Sequence, residues 1–424
     1  MKQSVFVRLS IMMFLEFFIW GSWFVTTGTF MDTHNLNSVR AWVYSAMPIA
    51  AIISPFFLGM VADRFFASEK VLAVMSLLGG VAALALGKVA QMDNGTGDLR
   101  WAFVALLIAH TLCYAPTLGL TNTVAFYSLT DQEKQFPLIR VFGTLGWIAS
   151  SGYVVSKWLH GDNSVIQYYV TAAAGVALGV FSFFLPHTPP PAAGKKASVR
   201  DILGLDALAL MKSPSFAIFI LSSLLTCIPL AAYFAYAQSF VQAAGFKDPG
   251  FVMSFGQGVE IFFMIVMPLF FRFLGVKWML LMGMIAWVVR YGLFAMGAAT
   301  GAAWMIVVGI LLHGICYDFF FVTGFIYTDK IAAKKQVRGQ AQGLLVLVTQ
   351  GLGMFIGAQI AAKLGANMIK GTGAELLKTY QQFWIVPCIM ATVVVVLCFV
   401  LFKDDSKEAE AAKEAEAVGT STGH

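Results

Sequence analysis

Charge is what this sequence has least of. Of its 424 residues only 12% are Asp, Glu, Lys or Arg, about half the share of an ordinary soluble domain. So few charges cannot cover a water-facing surface, which excludes a soluble globular protein. Cysteine is scarce too. Cys113, Cys227, Cys316, Cys388 and Cys398 all sit in apolar runs, without CxxC or CxxxC spacing. That excludes a disulfide scaffold and a thiolate metal site and leaves packed thiols. The six histidines are scattered, and there is no nucleophile elbow or phosphate-cradling Gly loop. These absences argue against an enzyme, a bound metal and any other cofactor. The net charge of +6 is no sign of a nucleic-acid partner. In a chain of this kind the cations of short loops set orientation instead.

Apolar residues are what fills the chain, at 59%. They fall in runs of about 20 residues or more, long enough as helices to cross a ~30 Å hydrocarbon core. About twelve spans are expected, near 5–30, 41–62, 70–90, 101–129, 137–158, 166–186, 214–243, 250–272, 277–299, 302–328, 336–362 and 380–403. The first reads as a span rather than a cleavable signal, because no small-residue cleavage site precedes Asp32. Polar punctuation such as "DTHNLNSVR" and "QMDNGTGDLR" separates the runs.

Composition changes after the sixth run. "LPHTPPPAAGKKASVRDILGLDALALMK" is Pro-rich, then basic, then amphipathic. It reads as a linker over 187–212 between two six-helix halves, 1–186 and 213–403. Residues 404–424 form a charged tail that buries no core. With the N-terminus inside, Arg64, Lys70, Lys134, Lys195, Lys196, Arg200, Arg272, Lys277 and Lys330 all fall on the inner side. Lys363, Lys370 and Lys378 are an exception, but the bias still puts both termini in the cytoplasm of a multi-pass protein in a lipid bilayer.

Six plus six spans around a basic linker is the layout of the major facilitator fold, an all-α membrane architecture. The loop after the second span, "GMVADRFFASEK", resembles that superfamily's Gly-x-x-x-Asp-Arg signature in Gly59, Asp63 and Arg64. The resemblance implies a conformational element there rather than a substrate site.

Ionisable residues within the spans are costly and therefore point to function. Five stand out: Glu16, Arg140, Glu260, Arg290 and Asp318. Glu260 shares a helix face with Gln257, offering a carboxylate and an amide to a polar ligand, or else to a neighbouring helix. Arg140, Thr144 and Trp147 form one stripe, although Arg140 lies near enough to the boundary to snorkel. Asp318 follows His313 and Tyr317, and serves as a proton site, a gate or a partner for Arg290. Glu16, with Trp20 and Trp23 at i+4 and i+7, suits either a stacking surface or an interfacial belt. Arg290 reads as a cross-helix brace. Pro116 should kink the fourth span and free backbone carbonyls.

In order along the chain, "WGSW", "YAPTLGLTNT", "FPLIRVFGTLGWI", "LPHTP", "LGLDALALMK", "AWVVRYGLFAMG", "GICYDFFFVTG" and "AQGLL" resemble the bacterial nucleoside:proton symporters of the major facilitator superfamily. The resemblance covers about 14–403. It implies proton-driven nucleoside uptake through the inner membrane by alternating access. The family's binding Arg and Thr fall on Arg140 and Thr144, its stripe aromatic on Trp147, and its Gln-x-x-Glu pair on Gln257 and Glu260. Its span-ten Asp falls on Asp318, the preceding aromatic on Tyr317 and a Tyr on His313. Glu260, Asp318 and Glu16 are then the candidates for carrying the proton. Two polar positions of span seven fall on Pro229 and Ala232, and Glu16 stands where a Gln is usual. Those departures keep open a proton-coupled or passive carrier of another polar solute, such as a sugar or nucleotide precursor. A sensor that binds without transport also stays open. A monomer is expected.

Overall fold

The computed structural model describes residues 3–58, 63–190, 205–333 and 337–405. Gly59 lies outside them, as do Lys195, Lys196, Arg200 and the tail beyond Asp405. Within them the apolar runs fold as helices, because a backbone in hydrocarbon must satisfy its own hydrogen bonds. The first six are α1 (Gln3–Thr33), α2 (Asn37–Phe57), α3 (Ser68–Asp93), α4 (Arg100–Ser128), α5 (Lys134–Trp158) and α6 (Ile166–Ser182). α7 is Pro214–Ala243. Pro249–Thr300 is continuous for 52 residues but turns at Gly275, whose φ of 68° suits only glycine well. Its arms are α8 (249–274) and α9 (276–300). α10 (Ala303–Ala332), α11 (Arg338–Met368) and α12 (Gly373–Leu401) complete the bundle. Twelve crossings bring residue 3 and residue 405 to the same end, called the terminal end below.

The linker expected over 187–212 lies largely outside the described residues. Its last part, Leu205–Lys212, is a 3-10 helix that buries Ala207 and Leu210. Asp63 and Arg64 fall in a short helix, Asp63–Phe65. The five cysteines are free thiols.

α1 packs on α5 and α6, and α3 packs on α4 and α6. α7 packs on α11 and α12, α9 on α12, and α8 on α10. Between the first six helices and the last six, α2 meets α11 and α5 meets α8. The α5–α8 contact gathers on residues 148–158, where α5 widens into a π-helix. There a Cβ on Gly152 would stand 2.6 Å from Ser254 Oγ, so only glycine lets the helices cross this closely. α10 and α11 also contain π-helical turns, at Asp318–Val322 and Leu347–Gly353. Such turns recur at functional sites because they re-aim the side chains on either side.

A dense set of polar ties closes the end opposite the termini. Arg40 is buried and donates to the carbonyls of Ala235 and Gly28 and to Asp32. Its guanidinium lies 4.5 Å over the Tyr236 ring. Gln238 Nε2 donates to Asp162 Oδ1 at 2.7 Å, and Ser156 Oγ donates to Asp162 Oδ2 at 2.6 Å. Ser156 Oγ in turn accepts the Phe251 N–H. Gln359 Nε2 donates to Ser45 Oγ at 2.9 Å, joining α11 to α2. Each of these ties links the first six helices to the last six or braces a residue that does.

Candidate functional site

From the crossing at Gly152 and Ser254, α5 and α8 run on toward the terminal end. The next turns of α5 carry Trp147, Thr144 and Arg140; those of α8 carry Gln257 and Glu260. The sequence stripes therefore descend from one crossing point.

On the side of the first six helices, Trp147 packs edge-on to Trp20 with ring centroids 5.2 Å apart. The Arg140 guanidinium lies 4.0 Å over the Phe17 ring. Thr144 is buried, and Arg140 and Trp147 are half-buried. On the other side, α8 and α10 approach at two glycines. A Cβ on Gly256 would stand 3.0 Å from His313 Cβ, and one on Gly314 would stand 2.8 Å from the backbone of Val259. This close approach sets His313 Nε2 3.8 Å from Glu260 Oε2. The His313 ring stacks between Tyr233 of α7, at 5.7 Å, and Tyr317, at 5.9 Å.

Arg140 makes no ion pair with Glu260, and among the described residues its ring partner is Phe17. It is nevertheless in electrostatic reach of both Glu260 and Tyr317. Asp318 is fully buried, and neither of its carboxylate oxygens has a hydrogen-bond partner among the described residues. It is in electrostatic reach of Glu260. The salt bridge from Asp318 to Arg290 considered above does not form. Arg290 instead donates from Nε to the Gly309 carbonyl at 3.0 Å and lies 4.3 Å over the Tyr233 ring. It braces α9 against α10 and α7, as expected of it.

Glu16 accepts a 2.6 Å hydrogen bond from Thr117 on α4, and its other carboxylate oxygen has no partner among the described residues. Of the two indoles expected beside it, only Trp20 turns toward Trp147. Trp23 is buried in the core against His110 and Phe24, so the pair does not form one stacking surface. Pro116 stays inside an unbroken helix. Thr121 and Thr123 bond back to their own turns, whereas Thr117 reaches across to Glu16.

Tyr233 and Thr117 went unread in the sequence. A tyrosine among "LAAYFAYA" has no periodic signal, and only its contacts with His313 and Arg290 mark it. Ala232 is buried without a polar group, and the Pro229 carbonyl accepts from Tyr291 OH at 2.9 Å. Neither side chain offers a ligand a hydrogen bond.

A fold of twelve apolar helices with acids, an arginine and aromatics near the crossing of its two sets is that of a membrane carrier. The family profile described as nucleoside H+ symporter matches residues 1–407. This chain belongs to the nucleoside H+ symporter family. Its similarity to individual relatives runs over nearly the whole chain. It is 38% identical to the putative nucleoside transporter YegT of Escherichia coli K12, over 96% of each chain. It is 30% identical to the xanthosine permease of the same organism, over 95% of this chain and 96% of that one. In structure it resembles the crystal structure of the nucleoside transporter NupG at a TM-score of 0.81 and 28% identity. That match covers 94% of this chain and 99% of that one. The protein is thus a multi-pass membrane transporter with the major facilitator fold, and not an enzyme.

Proposed function

We propose that this protein imports nucleosides together with protons across the bacterial inner membrane, as a monomer with both termini in the cytoplasm. What carries the reading is the placement of Glu260. It sits on α8 beside Gln257, against His313 and in reach of Arg140, where the two sets of helices converge. A nucleoside offers hydroxyls on the ribose and an aromatic base. Arg140, Thr144, Gln257, Glu260 and His313 supply donors and acceptors for the first. Trp147 and Tyr317 supply ring faces for the second.

Glu260, Asp318 and Glu16 are the acids that carry the proton, with Glu260 and Asp318 sharing one electrostatic neighbourhood. Protonation removes a charge from a dry site and so lowers the barrier to rocking one set of helices against the other. The polar ties opposite the termini fit an inward-facing state of that cycle. Asp63 and Arg64, in the short helix after α2, serve as the conformational element at the terminal end.

The test is substrate-induced proton flux in liposomes containing the purified protein, across nucleosides, bases and sugars. Nucleosides should drive the flux and compete with labelled uridine or adenosine. Flux with a sugar that no nucleoside competes away would reject the nucleoside assignment.

A further inference from the structure

A second polar site lies at the terminal end, away from the helix crossing. A cleft of about 440 Å³ wraps the elbow at Gly275 between α8 and α9. Arg272, Lys277 and Lys330 line it, with Asp404 as the one carboxylate. Arg272 is exposed and makes no hydrogen bond or ion pair among the described residues. Lys277 donates to the Phe399 carbonyl at 3.0 Å, and Lys330 lies 5.4 Å from the centre of the Phe271 ring. Three cations against one anion leave the cleft positive and matched to an anionic ligand.

The surroundings select the ligand's source. Residue 249 starts α8 at the opposite end of the bundle, and 274 is about 37 Å further along the axis. That span exceeds a ~30 Å hydrocarbon core and sets the elbow at headgroup depth. An outward stripe of α8 leads into the cleft: Phe262, Ile265, Leu269 and Phe273, spaced by three, four and four, are 58%, 72%, 59% and 75% exposed. Trp278, half exposed across the elbow, is suited to the interface between acyl chains and headgroups. An apolar track ending in a cationic cleft fits a molecule with acyl chains and a phosphate, whereas a free anion would use only the cleft.

We propose that the Gly275 elbow binds the phosphate headgroup of an anionic phospholipid, with its acyl chains along the Phe262–Phe273 stripe. Basic clefts between membrane helices hold headgroups in this way, each cation contributing through charge. The bound lipid spans the ends of α8, α9 and α10, since Arg272, Lys277 and Lys330 come from those three helices. α8 and α10 also carry Glu260 and Asp318, so the lipid braces the helices that hold the acids.

The purified full-length protein in detergent is titrated with phosphatidylglycerol, phosphatidylcholine or inorganic phosphate. Bound lipid is counted by native mass spectrometry, and melting is followed in parallel. Phosphatidylglycerol should bind and raise Tm, and R272Q/K277Q should weaken that binding about 30-fold. R272Q alone changes a side chain without a hydrogen bond or ion pair among the described residues, and should weaken it about fivefold without lowering the lipid-free Tm. Phosphatidylcholine binding should not change in either variant. Equal phosphatidylglycerol affinity in wild type and R272Q/K277Q would overturn the proposal. So would displacement of the lipid by inorganic phosphate at comparable concentration, which would reassign the cleft to a free anion.

Discussion

Gln238 on α7 donates a 2.7 Å hydrogen bond to Asp162, in the loop between α5 and α6. The bond joins the last six helices to the first six at the end opposite the termini. Asp162 also receives Ser156 Oγ and the Gly250 N–H, so its carboxylate is shared between both sets. Thr29 Oγ1 adds a bond to the Asp162 carbonyl at 2.7 Å. A residue so placed reports whether that end is closed.

Asp162 makes closure of that end depend on pH. Burial raises its carboxyl from 3.8 to about 6, with nearby Asp248 adding to the rise, while the hydrogen bonds from Ser156, Gly250 and Gln238 hold it down. The charge on Asp248 is itself matched by Lys157 at 3.1 Å and His160 at 3.5 Å. When the end opens and water reaches Asp162, its ordinary value returns. The closed form therefore binds a proton that the open form lacks between about pH 4 and pH 6, and closure strengthens as pH falls through that window. Distances between spin labels across this end should shorten in population as pH drops. Asp162→Asn should flatten that dependence; an unchanged profile in the variant rules Asp162 out as its source.

Arg40 is the other staple of the closed end. Its bonds to the Ala235 and Gly28 carbonyls and its stacking on Tyr236 bury the charge almost completely. Breaking one partner of a buried, bonded charge costs about 3–5 kcal/mol. Arg40→Gln removes the charge along with those contacts, so it should shift the population toward opening at this end. The shift should appear as longer label distances and faster labelling of a cysteine introduced at Gly28. Wild-type distances together with wild-type transport would remove Arg40 from the gate.

Glu260→Gln keeps the size and part of the hydrogen bonding of the side chain but cannot cycle a proton. Uptake against a gradient should be abolished while exchange of labelled for unlabelled nucleoside persists. Accumulation equal to wild type would end the proton role of Glu260 and leave Asp318 and Glu16.

His313→Phe keeps the ring between Tyr233 and Tyr317 and deletes the nitrogen that faces Glu260. In the proposed site His313 supplies one hydrogen bond to the ligand, worth about 0.5–1.5 kcal/mol, so ligand affinity measured by calorimetry should fall roughly twofold to tenfold. Melting should change little. Unchanged affinity would mean that His313 orients Glu260 in the free protein only.

Much of this was legible in order along the chain. Apolar length alone demands membrane helices, because no other open backbone survives in hydrocarbon. Arg140, Thr144 and Trp147 on one stripe, and Gln257 with Glu260 on another, follow from a helical period. The motif order carried the family. The pairings of the charges did not follow from any of this. Arg140 stacks on Phe17 rather than meeting Glu260, Arg290 takes a carbonyl and a tyrosine rather than Asp318, and Trp23 turns into the core.

The sequence by itself thus determined the class of protein, its spans and the faces on which its polar residues lie, since those depend on hydropathy and on a local repeat. Only the tertiary structure decided which faces meet. Gly256 and Gly314 bring His313 to Glu260, Gly152 sets the crossing of α5 and α8, and Gln238 bonds the carboxylate of Asp162 from 76 residues away. Close approach between helices depends on side-chain volume at both surfaces at once, and a one-dimensional pattern holds only one of those surfaces at a time.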